Sequence, residues 1–395
     1  MINDTDVYIG AVARTPFGRF GGRLKDMAGP ELGALAIDET ISRSGVDPET
    51  IGAVYAGVGM IGSAVLTPAR RAVLRSRKLK DSTPSLTVDR ACCSGVTAIS
   101  LGWKDIRLGL ADAVLCGGFE SLSQTPFLWP RQRGAKPGAV DINDPLLLRA
   151  EFLDKAIAAY TGEEAMRLGI TRADQDQWAL KSHEKYFKAK AQDYFAFECF
   201  PLTSNDAPFE ADESPRSDTS LAKLASLKPV YGSPTVTPGN APGLSDGAAF
   251  VLLLSGRFAR AHGLTPLARI IGYTQVASGP TTGSYTPGIA IAELLQRTNV
   301  ALDDIGQFEI NEAFAATPLA STLHLAHGDR GKAEKLRERT NPYGGAVAIG
   351  HPLGASGARL AMTIANGLRR NGGGIGAAAI CGGYGQGDAL LLAVE

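Results

Sequence analysis

With 395 residues and 40 basic against 40 acidic side chains, the chain is too long for one ordinary domain and has no global charge to select nucleic acid or an anionic membrane as partner. Its five cysteines, an odd number without CxxC spacing, point away from a disulfide framework and a structural zinc site and towards a reducing compartment. The opening Met1-Ile2-Asn3-Asp4-Thr5-Asp6 is acidic where a targeting segment would be basic, and no apolar run has membrane-spanning length, so a cytoplasmic protein without a membrane partner is expected.

In chain order, residues 6–13 read as a buried strand that Arg14-Thr15-Pro16-Phe17-Gly18 breaks. A helix is predicted over 30–44, with Pro30 in its first turn, apolar Leu32, Leu35, Ala36 and Ile41, and Gly45 as its stop. A strand at 51–57, a helix from Thr67-Pro68 and the strand Ser85-Leu86-Thr87-Val88 lead into Asp89-Arg90-Ala91-Cys92-Cys93-Ser94-Gly95, which opens a helix near Ser94. Unpaired N–H groups and the dipole at a helix mouth favour a thiolate, which is the placement of a nucleophile. A small buried cysteine packing a tight turn fits the same spacing. Helical periodicity continues over 97–110, and Ala113-Val114-Leu115-Cys116-Gly117-Gly118 is a strand ending in a glycine turn. This alternation makes the first third α/β with a largely buried sheet.

Between 120 and 246 the texture changes to irregular Pro- and Gly-containing segments, a charged helix over 172–192 and clustered aromatics at Tyr194, Phe195, Phe197 and Phe200. Such a long segment between regular halves reads as an insertion that covers something. A strand resumes over 248–254, and the chain then repeats itself. Residues 290–300 and 304–308 lie over 36–46 and 50–54 with Ala, Ile, Glu, Arg, Val and Ile-Gly in common, and Ser356-Gly357 with Cys381-Gly382-Gly383 parallels Ser94-Gly95 with Cys116-Gly117-Gly118. The expectation is a duplicated α/β half.

Duplication makes one asymmetry informative, because the first half has Cys92 before its Ser-Gly and the second has His351 in Gly350-His351-Pro352-Leu353-Gly354-Ala355-Ser356-Gly357. A pseudo-twofold would bring thiol and imidazole together, the minimum arrangement for an activated sulfur nucleophile. The other four histidines, at 183, 262, 324 and 327, read as surface or core residues. Cys381 stands at a strand end where glycine N–H groups could face an oxyanion, yet Cys116 in the equivalent place shows that a packing role suffices. Asn311-Glu312-Ala313-Phe314 follows a strand and is read as opening a helix; Asn311 there is either an N-cap or an amide that polarises a carbonyl.

Four of these motifs, in order, resemble the thiolase family: Cys92-Cys93-Ser94-Gly95 its Cys-x-Ser-Gly stretch, Asn311-Glu312-Ala313-Phe314, Gly350-His351-Pro352, and Cys381-Gly382-Gly383 its Cys-x-Gly box. Gly117 to Ser123 and Gly239 to Ala248 add weaker matches, so the similarity spans nearly the whole chain. It implies two βαβαβαββ halves in an α-β-α-β-α layered fold, with 1–119 plus 247–270 as the N-terminal half, 120–246 as an inserted coenzyme A-binding loop domain and 271–395 as the C-terminal half. It also implies an acetyl-CoA acetyltransferase or 3-ketoacyl-CoA thiolase working on acyl-CoA and CoA, with CoA as substrate, no tightly bound cofactor and a homodimer or homotetramer. On it Cys92 is the nucleophile, His351 takes its proton, Cys381 moves the proton at the acetyl carbon, Asn311 with His351 forms one oxyanion hole, and the N–H groups of Cys92 and Gly383 form the other. Arg216 matches a position that contacts CoA phosphates, and a surface salt bridge accounts for it equally well.

Three departures bear on substrate. Asp89 stands where the family usually has Asn, Cys93 where Gly or Ala is commoner, and Pro242 replaces a Ser or Thr that commonly faces the CoA arm. Around Ile157-Ala158-Ala159-Tyr160 the His-Met pair of acetoacetyl-CoA-specific members is missing, which moves the expectation towards a longer acyl group. The alternatives are a related condensing enzyme, against which Cys381 argues, and a thiolase-like protein that binds acyl-CoA without turnover.

Overall fold

Nine strands hydrogen-bond along one continuous path, with a tenth pairing beside it, in the computed structural model, which describes residues 2–60, 66–128, 144–150, 155–204, 207–280 and 282–395. The main strands are β1 (Val7–Arg14), β2 (Ala53–Gly57), β3 (Ser85–Val88), β4 (Ala113–Ser121), β5 (Ser245–Ser255), β6 (Ala268–Ala277), β7 (Ile305–Ile310), β8 (Gly374–Cys381) and β9 (Gln386–Val394). Their spatial order is β7-β8-β9-β6-β1-β5-β4-β2-β3, and the two-residue strand Gly18–Arg19 pairs with β5.

The duplication expected from sequence is visible in this order. In the first half β2 runs parallel to β4, and β4, β5 and β1 follow antiparallel. In the second β7 runs parallel to β8, and β8, β9 and β6 follow antiparallel. The halves join where Val7 to Ile9 of β1 pair with Ile270 to Ala268 of β6. All eleven residues of β5 are buried, as a strand covered on both faces requires.

The helices that matter are α1 (Gly29–Ser44), α2 (Ser94–Arg107), α3 (Ile157–Arg167), α4 (Arg172–Ala191), α5 (Thr286–Thr298) and α6 (Leu353–Arg370). Helix α1 ends where Gly45 takes the left-handed conformation, φ 67°, which needs no Cβ. It covers β1, β4 and β5, and its counterpart α5 covers β6, β8 and β9. Helix α6 is buried from Leu353 to Leu368 and touches α2 and strands of both halves, so α2 and α6 form a middle layer between the two groups of strands. Glycines let that layer close: a Cβ on Gly357 would lie 2.3 Å from the Val96 nitrogen, and one on Gly95 2.7 Å from the Gly354 carbonyl. Helix α2 begins at Ser94 and stops at Arg107, earlier than its periodicity suggests, because Leu108 and Leu110 are exposed and Gly109 turns left-handed.

The segment between β4 and β5 holds α3, α4, the helix Leu221–Ser226 and two small hairpin-like pairs. Thr171 and Asp174 form a capping box that starts α4. The aromatic cluster is not a loose cover. Tyr194 stacks on Tyr343 at 3.7 Å between ring centroids, Phe195 stacks on Tyr186, and the Tyr194 hydroxyl donates to the Thr363 carbonyl at 2.6 Å. Arg14 at the end of β1 is buried and ion-paired with Glu198 and Asp212, each at 2.7 Å, which ties the segment to the other half as well.

Candidate active site

The turn after β3 is tight and held by short hydrogen bonds. Ala91 sits in the left-handed region at φ 50°, uncommon for a residue with a Cβ, and the Asp89 carboxylate accepts its N–H at 3.0 Å. The Ser94 hydroxyl accepts from the Arg90 N–H at 2.8 Å and donates to the Ala91 carbonyl at 2.6 Å. The vicinal cysteines therefore point apart. Cys93 is wholly buried with its thiol on the Ile380 carbonyl at 3.4 Å, whereas Cys92 is half-buried and faces His351.

His351 is fixed by two serines. Its N–H donates to Ser245 Oγ at 3.0 Å, and its Nδ1 lies 2.6 Å from Ser356 Oγ. With the Ser356 hydroxyl proton on the Pro352 carbonyl at 2.8 Å, Oγ accepts from an Nδ1–H, the tautomer that also lets Nε2 accept from Asn311 Nδ2. Nε2 is then a bare lone pair, 3.2 Å from Cys92 Sγ and 3.3 Å from Asn311 Nδ2. Burial pushes the ring's pKa down to about 3, and burial, together with the neighbouring ionisable Cys381 and Glu120, pushes the Cys92 thiol well up. The resting pair is neutral imidazole beside neutral thiol. Cys93, not Cys92, occupies the helix N-cap position, and burial works against the pull of the helix dipole on the Cys92 sulfur.

Asn311 follows β7 directly and caps no helix, because the next one starts only at Ala316. The reason lies at Glu312. Its buried carboxylate accepts from Trp178 Nε1, Ser182 Oγ, Asn341 Nδ2 and the Val347 N–H at 2.8 to 3.0 Å, which pulls 312 away from helical geometry. Asn311 is thereby left free to turn its amide onto His351. Its Oδ1 is buried without a hydrogen-bond partner among the described residues.

Cys381 ends β8, and burial pushes its thiol up to about 12. Gly383, Tyr384 and Gly385 follow in the left-handed region, and the Gln386 N–H returns to the Gly383 carbonyl at 3.0 Å. A Cβ on Gly382 would lie 2.8 Å from both the Arg90 carbonyl and Cys93 Sγ, so this turn and the Cys92 turn are in direct contact. The equivalent Cys116 is wholly buried in the core, its Sγ 2.4 Å from where a Cβ on Gly102 would stand, and it is a packing cysteine.

His351 also lines a cavity of about 360 Å³ together with Phe314, Leu353, Pro242, Ile157 and Arg216. Arg216 is exposed there and makes no ion pair with a described residue; its N–H donates to His183 Nδ1 at 3.2 Å.

The family described as thiolase, N-terminal domain, matches residues 7–257, and thiolase, C-terminal domain, matches 264–394. The chain belongs to the thiolase family. It is 36% identical to the β-ketoadipyl-CoA thiolase of Pseudomonas aeruginosa over 99% of both chains, and 38% identical to a probable acetyl-CoA acetyltransferase of Mycobacterium tuberculosis over 98% of this chain and 99% of that one. Its fold superposes on human mitochondrial 3-ketoacyl-CoA thiolase in complex with CoA with a TM-score of 0.92 at 36% identity, covering 99% of this chain and 98% of that chain. This thiolase is an acyltransferase with the layered, duplicated fold of its family.

Of the residues singled out in this thiolase's sequence, Cys92, His351 and Asn311 meet in one contact, Cys381 and Gly383 stand on the adjoining turn, and Arg216 lies on the cavity wall. Sequence reasoning missed Ser356, Ser245 and Glu312. Ser356 had a signal, since the internal repeat aligns it with Ser94 and both serines bracket their turns with paired hydrogen bonds. Glu312 stood in the Asn-Glu-Ala-Phe motif, but its four partners, 29 to 134 residues away, could not be read there, and Ser245 lies 106 residues from His351.

Proposed function

We propose that this thiolase moves an acyl group between Cys92 and coenzyme A, cleaving a 3-oxoacyl-CoA with CoA to acyl-CoA and acetyl-CoA, or running the condensation in reverse. The observation that carries it is the 3.2 Å contact from the bare Nε2 of His351 to Cys92 Sγ. The thiol proton passes to Nε2 as sulfur attacks the ketone carbon, so the thiolate forms only when substrate is present. The C2–C3 bond then breaks, the acetyl-CoA carbanion takes a proton from Cys381, and the acyl group stays on Cys92. A second CoA thiol attacks the thioester and Cys92 leaves, the CoA proton and the one held by His351 together restoring the Cys92 and Cys381 thiols.

The imidazolium, now with a hydrogen on each nitrogen, donates towards the acyl oxygen beside Asn311, and the Cys92 and Gly383 N–H groups serve the second oxygen. Coenzyme A is substrate, not cofactor, and no tightly bound cofactor enters the scheme. Its arm lies along the Arg216 and Pro242 wall, with Arg216 on its phosphates. The free state of all five cysteines supports a reducing, cytoplasmic setting. Among the described residues no helix is long and apolar enough to cross a membrane. Strand β3 is the sheet edge with Leu86 49% exposed, which supports a homodimer or homotetramer. The working units are 1–119 plus 247–270, the inserted 120–246, and 271–395.

Ile157 and Ala158 on the cavity wall, where the His-Met pair of acetoacetyl-CoA-specific members is missing, support an acyl group longer than acetyl. Thiolysis rates against 3-oxoacyl-CoA substrates of increasing length, with acetyl-CoA condensation in parallel, test this: the rate should peak above four carbons. Cys92→Ala should lose at least about a thousandfold in kcat. A fully active Cys92→Ala protein would overturn the assignment.

A further inference from the structure

The two thiols of the proposed reaction sit on different halves of the chain, and a contact that the reaction itself does not use joins their turns. Asp388 is wholly buried on β9, directly opposite Ile380, the residue before Cys381. Its Oδ1 accepts from the Arg90 guanidinium at 2.9 Å, and its Oδ2 accepts from Thr97 Oγ1 at 2.6 Å. Arg90 lies two residues before Cys92, and Thr97 lies in the first turn of α2. One carboxylate of the C-terminal half therefore grips both ends of the nucleophile turn. Hydrogen bonds to an ionised group are stronger than neutral ones, and here each carboxylate oxygen holds a different end of the turn.

His351 reaches Cys92 by another route. Its position follows from α6, whose Gly354 and Gly357 lie in backbone contact with Gly95 and Val96 of α2, and from the two serines that hold the ring. None of those contacts includes Asp388 or Arg90.

The geometry points to Arg90 and Asp388 as positioning residues that set the spacing between Cys92 and Cys381 while leaving the Cys92–His351 pair in place. This rests on the thiolase chemistry proposed above. Acyl exchange between acetyl-CoA and free CoA asks only that Cys92 attack the thioester carbon, its proton resting on His351 until the departing CoA sulfur recovers it. Carbon–carbon cleavage asks in addition that the Cys381 proton reach C2 of the leaving acetyl-CoA. Loosening the grip on the turn should slow the second reaction and spare the first, since misplacement of a reacting group by about 1 Å can cost on the order of a hundredfold.

The test uses the full-length protein, with acetyl-CoA and isotopically labelled CoA for exchange, and a 3-oxoacyl-CoA plus CoA for thiolysis. Arg90→Met and Asp388→Asn are expected to lower the thiolysis kcat by about thirtyfold with KM within about threefold, and to leave exchange within about threefold of the parent. Arg90→Lys, which restores the cation, is expected to recover most of the thiolysis rate. Equal loss of both reactions, or no loss of either, overturns the inference. Should Asp388→Asn fail to fold, the two Arg90 variants decide alone, because that side chain is one-quarter exposed at the rim of the turn. A parent protein that performs neither reaction would overturn the thiolase reading instead.

Discussion

At the scale of single residues, the proposed chemistry depends on which nitrogen of His351 is bare. The Ser356 hydroxyl decides it, by giving its proton to Pro352 and accepting from Nδ1. Ser356→Ala should free the other tautomer and lower kcat by about tenfold with little change in KM, roughly one lost hydrogen bond of orientation. The pH dependence follows from burial. A base must be unprotonated to act, and His351, held down to about 3, stays so well below the range in which an ordinary histidine takes up a proton. The kcat/KM profile should therefore stay within about threefold between pH 7.5 and pH 5, where an unperturbed imidazole with a pKa of about 6.5 would lose more than tenfold. An acid limb centred near 6.5 would show the ring to be solvated in the working enzyme. Asp89 and Cys93, two of the departures from the family pattern, have structural contacts of their own. Asp89 ties down the left-handed Ala91, and Cys93 faces the core.

At the scale of elements, the site depends on how closely α2 and α6 approach. Gly357→Ala would place a methyl 2.3 Å from a backbone nitrogen, which no rotamer change can relieve. The expected loss is about 1–3 kcal/mol of stability, with a larger fall in activity as His351 moves off Cys92, read by thermal melting and turnover on the same sample. Much at this scale was legible in the sequence. The helix over 30–44 with its glycine stop, the strand at 85–88 and the helix opening at Ser94 all have local causes, and the structure shows them at those places. Asn311 was not legible as it stands. Its local pattern is that of an N-cap, and only the distant partners of Glu312 keep the next four residues out of a helix.

At the scale of the whole molecule, the segment between β4 and β5 is anchored by buried charge. Arg14, wholly buried with Glu198 and Asp212, would leave two carboxylates uncompensated if replaced. Arg14→Met should destabilise the protein by about 3–5 kcal/mol, seen as a lower denaturation midpoint, although every catalytic atom is untouched. The sequence alone determined the alternation of strands and helices, the duplication, and the pairing of a cysteine in one repeat with a histidine in the other. These rest on local periodicity and on internal similarity, which are properties of the chain itself. Tertiary structure alone decided the burial of that pair, the placement of the Asn311 amide against His351 and the carboxylates that hold the turns. Those depend on desolvation and on hydrogen bonds between residues far apart in the chain, which appear only when the two halves close on the middle layer of helices.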